Sequence, residues 1–148
     1  MYRKILVPTD GSPLSLKGVR VAARLAREQG ASLVAVFVTL EGTPSIFSGG
    51  TVYASAVLGS QYERFLKKQA DDALAAVEAE ASRAGVPVKC VRRVARHPWR
   101  AILATARGQG CDLVVMSSHG RSGAQRLLLG SETAKVLTHA RLPVLVCR

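Results

Sequence analysis

KILVPTDGSP, Lys4 to Pro13, is the stretch that decides the fold. Ile5, Leu6 and Val7 are consecutive and apolar, and Pro8 stops them. A short run ended by a turn signal reads as a strand covered on both faces. Ser12-Pro13 then sets a capping hydroxyl directly before the residue best suited to the first helical position. Leu16, Val19, Ala22, Ala23 and Ala26 follow at helical spacing, and Gly30 is placed to end the helix. A strand therefore feeds a helix, and the alternation continues down the chain.

SLVAVFV (Ser32–Val38) reads as a second buried strand. Thr39 to Gly59, with Gly42, Pro44, Gly49 and Gly50, reads as a long irregular connection. From about Ser60 to Ala84 the pattern is helical, with Tyr62, Phe65, Leu66, Ala73 and Val77 predicted on one face and Gly85 closing it. VPVKCVRRV (Val86–Val94) alternates apolar and basic residues, which predicts a strand nearer a sheet edge. Pro98 opens a helix in which Trp99, Ile102, Leu103 and Ala106 are spaced i, i+3, i+4, i+7. CDLVVMS (Cys111–Ser117) is a third continuous apolar strand. Ser131 is predicted to cap a helix carrying Val136, Leu137 and Ala140, and LPVLVCR is the last strand. Alternating strands and helices predict an α/β fold, a parallel sheet with helices on both faces, in one domain spanning residues 1–148.

The totals agree. A chain of 148 residues with 48% hydrophobic composition can bury a full core. No apolar run reaches the roughly 18 residues needed to span a bilayer. The first residues lack the pattern of a signal peptide, so the expected location is cytoplasmic. Cys90, Cys111 and Cys147 form no CxxC, and two of them read as small hydrophobes beside strands. His97, His119 and His139 lie on separate segments without metal-ligand spacing. The net charge is +11, and it is uneven: Lys89 to Arg148 holds eleven Lys and Arg residues against Asp112 and Glu132. Such asymmetry fits an anionic partner or an arginine-rich solvated surface. With 5% aromatic residues and no basic-aromatic motif, nucleic acid is not the expected partner.

Ligands of open α/β sheets bind beyond the carboxyl ends of the strands, where strand order reverses. Three segments should meet there: VPTDGS after the first strand, the end of the second strand near Val38, and the stretch after Ser117. That last stretch, SHGRSGAQRLLLGS (Ser118–Ser131), carries Gly120, Gly123 and Gly130 with Arg121 and Arg126. Glycines let successive N–H groups turn toward an anion, and the helix opened by Gly130-Ser131 presents free N–H groups at its start. Each part suits a polyphosphate. The plainer alternative is an ordinary strand–loop–helix connection, although this one is longer than most. Neither a GxxxxGK[ST] run nor a GxGxxG after the first strand is present.

The chain resembles the universal stress protein family over nearly its whole length. The resemblance rests on KILVPTDGS, CDLVVMSSHGRSG and LLLGSETAKVLTHARLPVLVCR. The nucleotide-binding branch of that family is marked by Gly-x-x-Gly, nine residues, then Gly-Ser/Thr. Here Ser117-Ser118-His119-Gly120 is followed by nine residues and Gly130-Ser131, so Ser117 stands in a glycine's place. The resemblance implies a three-layer sandwich of the adenine nucleotide α-hydrolase-like type, with a five-stranded sheet of order 3-2-1-4-5. It implies an adenine nucleotide ligand, ATP or else AMP or ADP, with Mg²⁺ or Mn²⁺ arriving only with the nucleotide. Pro8, Thr9 and Val38 would line the adenine pocket, and Met116 and Ser117 would also be among the nucleotide-binding residues. Serine in a glycine's place either costs something, if the backbone there needs φ > 0 or very close approach, or offers its hydroxyl to a phosphate oxygen. Asp10 would lie near the ribose and phosphates and any nucleotide-borne ion, or would only form an Asx turn. Gly120, Gly130 and Ser131 would hold phosphates, with His119 and Arg121 near them and Glu132 repelling them unless turned away. The family also implies a homodimer through the last strand, Pro143 to Cys147. The expected function is an ATP-binding stress-response protein, at most a slow ATPase. The alternative is a dimeric scaffold that no longer binds nucleotide.

Overall fold

Apolar side chains alternate between two faces of one parallel sheet, which explains the continuous apolar runs. The computed structural model describes residues 1–42, 52–119 and 129–148. Among these, β1 (Lys4–Pro8) leads to α1 (Pro13–Gln29), then β2 (Ser32–Leu40) and α2 (Val52–Ala84). There follow β3 (Val88–Ala95), α3 (Pro98–Gln109), β4 (Leu113–Ser117), α4 (Ser131–His139) and β5 (Val144–Cys147). The sheet order is β3-β2-β1-β4-β5, and every pairing is parallel. The three-layer architecture and the 3-2-1-4-5 order thus match expectation.

On one face Ile5, Val7, Leu33, Ala35 and Val115 pack with Val19 of α1 and Val77 of α2. On the other, Leu6, Val34, Val36, Val114 and Met116 pack with Ile102 of α3 and Val136 of α4. The period of two in a strand divides each run between two cores, so no strand residue of the centre needs to be polar. β3, with its basic residues, is an edge strand as its alternation predicts.

α1 is bounded as its sequence requires. Ser12 Oγ accepts the N–H of Ser15 at 3.1 Å, and Pro13 occupies the first turn. Gly30 ends the helix at φ 66°, a left-handed conformation that a side chain resists.

Four expectations are corrected. α2 begins at Val52, not near Ser60, and the connection before it is correspondingly shorter. Gly59 was the misleading signal: one glycine inside a helix costs only about 1 kcal/mol, which a helix of this length absorbs. Phe65 does not share the buried face of α2 but is 54% exposed. Ser131 is the first helical residue of α4, and Gly130 occupies the cap position without a side-chain bond. Of the residues assigned to that helix, only Val136 is buried; Leu137 is exposed and Ala140 lies just past the end.

β1 sits between β2 and β4, so the chain turns one way after β1 and the other way after β4. The switch point lies at the carboxyl ends of these two strands.

Candidate functional site

A cavity of about 410 Å³ opens at that switch point. β1 delivers Pro8, Thr9 and Asp10 to it, β2 delivers Val38, and β4 delivers Met116 and Ser117, with His119 just beyond. Gly130, Ser131 and Glu132 close the far side at the start of α4. These ten sequence-predicted residues therefore border one space. The remaining two, Gly120 and Arg121, lie outside the described residues.

The turn after β1 is held by its own hydroxyls. Thr9 Oγ1 accepts the N–H of Gly11 at 3.2 Å and lies 3.1 Å from Ser15 Oγ. Ser15 Oγ donates to the Ser12 carbonyl at 2.9 Å. Asp10 Oδ1 accepts the N–H of Ser12 at 2.9 Å, which is the Asx turn anticipated as one reading of this residue. The same carboxylate borders the cavity, so the turn orients it there.

The end of β4 and the start of α4 are bonded to each other. Gly130 donates its N–H to the Ser118 carbonyl at 2.7 Å, and Thr133 Oγ1 donates to the Ser117 carbonyl at 3.0 Å. A Cβ on Gly130 would stand 3.0 Å from the Ser118 oxygen and 3.3 Å from His119 Cα. Close approach, and not φ, which is −57°, is therefore what favours glycine at 130: a side chain there would have to displace the Ser118 carbonyl by a few tenths of an ångström.

Ser117 fills a glycine's place without strain. It is the last residue of β4, paired with Cys147, in extended backbone that any residue adopts. Serine costs no backbone strain there. Its hydroxyl donates to the His119 carbonyl at 2.7 Å, so that proton is committed within the protein and not held out to a ligand.

α4 has no capping side chain at its start. The first intrahelical bond runs from Ala134 N–H to the Gly130 carbonyl. The N–H groups of Ser131, Glu132 and Thr133 precede it and take no carbonyl of the helix, and these residues border the cavity. The helix dipole adds partial positive charge at that end. The Glu132 carboxylate is turned aside: Oε2 accepts the Trp99 N–H at 2.8 Å and Oε1 pairs with Lys135 Nζ at 2.8 Å. His119 Nδ1 is 3.1 Å from Ser118 Oγ, while its buried Nε2 has no hydrogen-bond partner among the described residues.

Sequence reasoning missed one wall. Tyr62, Leu66 and Gln69 of α2, spaced i, i+4, i+7, face the cavity opposite Pro98 and Ile102 of α3. Tyr62 and Leu66 carried the signal of a shared helix face, but what that face meets is the cavity. Ser15, Val36, Phe37, Thr39, Leu40 and Thr133 complete the lining. Among the described residues, no group of three or more His, Cys, Asp or Glu is placed to hold a metal ion.

A parallel sheet whose switch point opens into a cavity defines the architectural class. The chain belongs to the universal stress protein family, whose family model matches residues 1–148. It is 34% identical to universal stress protein MJ0531 of Methanocaldococcus jannaschii over 148 residues, covering 100% of this chain and 83% of that protein. The solved structure of hypothetical protein MJ0577 superposes with a TM-score of 0.80 at 26% identity, over 99% of this chain and 95% of that one. A universal stress protein solved in complex with cAMP shares the fold, with a TM-score of 0.67 at 24% identity over 99% and 97% of the two chains.

Proposed function

We propose that this chain binds an adenine nucleotide, ATP first of all, in the cavity at the switch point. One observation carries the reading: the uncapped first turn of α4 opens into a space whose other walls are largely apolar. Base and phosphates then have separate environments. Val38, Met116, Ile102 and Leu66 suit a planar base, while the N–H groups of Ser131–Thr133 suit phosphate oxygens. His119 Nε2 is a further donor or acceptor on that side. Asp10, which borders the cavity, would meet the ribose, or a Mg²⁺ or Mn²⁺ ion carried in by the nucleotide. Gly120 and Arg121 belong to the same phosphate side on the family pattern.

The protein's action is a change of conformation or partner on nucleotide binding in the stress response, which requires the nucleotide to prefer one state. Hydrolysis, if present, is slow: the Nδ1 partner of His119 is a serine hydroxyl and not a carboxylate that would orient a general base. β5 lies at the end of the sheet order with Leu145 exposed, which supports a homodimer through Pro143–Cys147. Among the described residues, no helix is long and apolar enough to cross a membrane; the proposed location is the cytoplasm. Nucleic acid is not assigned as a partner.

Equilibrium titration with ATP and magnesium tests the reading. Saturable binding below millimolar ATP is expected. No saturable binding at millimolar ATP overturns it and leaves the dimeric scaffold.

A further inference from the structure

We propose a second anion site, outside the cavity, in the groove between α3 and the end of α4, for a compact polyphosphate chain. The groove has a volume of about 380 Å³ and carries Arg100, Arg107 and Arg141 around Leu103 and Ala104. None of the three arginines joins an ion pair among the described residues. The two acids of this half of the chain are already engaged. Asp112 accepts the N–H groups of Arg3 and Lys4 at 2.8 and 3.1 Å, and Glu132 holds Trp99 and Lys135. At this groove, among the described residues, the positive charge of Arg100, Arg107 and Arg141 meets no carboxylate partner.

The groove is also built. The Trp99 ring stacks on His139 with centroids 4.3 Å apart, and the Arg100 guanidinium lies 5.1 Å from the Trp99 centroid. The cation–π contact holds one guanidinium in place, and the Glu132 bond to the Trp99 N–H fixes the backbone beneath it. Because the indole is already stacked within the protein, a nucleobase is not the occupant this wall favours. Arg100 and Arg107 stand two helical turns apart on one face of α3, about 10 Å along the axis. Arg141 comes from the turn after α4, and Ala104 leaves the floor low between them. Three forked donors lining one groove, two of them spaced along α3, match linked phosphate groups, each of which accepts paired N–H bonds. This site does not depend on the nucleotide reading of the cavity.

Trp99 is the only tryptophan, so its fluorescence reports on the groove directly. The intact protein is titrated with inorganic tripolyphosphate at about 50 mM salt. A saturable Trp99 response is expected, weakened at least about tenfold in the Arg107→Gln, Arg141→Gln double variant, whose substitutions lie on exposed side chains away from the cavity. ATP affinity measured by calorimetry is expected to be unchanged in that variant. The proposal is overturned by absence of a saturable response, by equal affinity in the double variant, or by equal binding of a hexaglutamate peptide.

Discussion

The carboxylate of Glu132, on the first turn of α4, accepts the backbone N–H of Trp99 on the first turn of α3 at 2.8 Å. His97, the residue preceding α3, makes no side-chain capping bond, so Glu132 serves as that helix's cap from another element. The same side chain borders the cavity. It thus links the start of α3 to the start of α4, and although its two oxygens are held by Trp99 and Lys135, its negative charge stays at the cavity's edge.

Glu132→Ala should therefore lower stability by about 1 kcal/mol, the usual worth of a helix cap, seen as an earlier urea midpoint. Glu132→Gln keeps an acceptor for the Trp99 N–H and removes the charge. It should leave the midpoint nearly unchanged and tighten ATP binding by calorimetry. Weaker ATP binding in Glu132→Gln would show that the carboxylate assists the ligand.

Gly130→Ala places a Cβ 3.0 Å from the Ser118 carbonyl oxygen. Backbone must shift to admit it, and the loss should be about 1–3 kcal/mol in urea unfolding. The variant should also weaken ATP binding, since the start of α4 moves from the end of β4.

Asp112 gives the pH dependence a sign. Burial pushes its carboxyl up, but the backbone N–H groups of Arg3, Lys4 and Asp112 itself, with the Arg3 charge, outweigh that and hold it below the usual carboxylate value. A depressed folded-state value contributes stability above the unfolded value near about 4, lost as pH falls through the lower folded value. Urea midpoints should fall over that acid window in the parent protein. Asp112→Asn should start lower and fall less.

The thiols should be slow to alkylate. Burial, with the nearby Glu78, pushes Cys90 up to about 12, and burial pushes Cys111 up to about 11, more than the Lys4 charge lowers it. At about pH 8 neither is a thiolate. Mass spectrometry after iodoacetamide should find both unmodified in the native protein and labelled in urea. Rapid native labelling would contradict this.

Much of the fold was legible because buried parallel strands cannot hide: Ile5–Val7, Leu33–Phe37 and Leu113–Met116 are continuous apolar runs. Ser12, Pro13 and Gly30 marked helix ends because local backbone chemistry decides them. What escaped reading was set by distant contacts. Nothing next to Glu132 in sequence shows that it caps α3, some thirty residues earlier. Nothing beside Gly130 shows that the Ser118 carbonyl presses on it. The α2 wall was only half visible, since the spacing of Tyr62 and Leu66 marks a helix face but not what that face meets. Ser117 looked costly from the family pattern, and its extended strand position removes that cost.

The central claim is that nucleotide phosphates rest on the first turn of α4. The most direct test is the amide spectrum of the isotopically labelled protein during addition of ATP and magnesium. The N–H signals of Ser131, Glu132 and Thr133 should shift progressively and saturate together. Saturable shifts confined to other elements, with these three unmoved, would contradict the account.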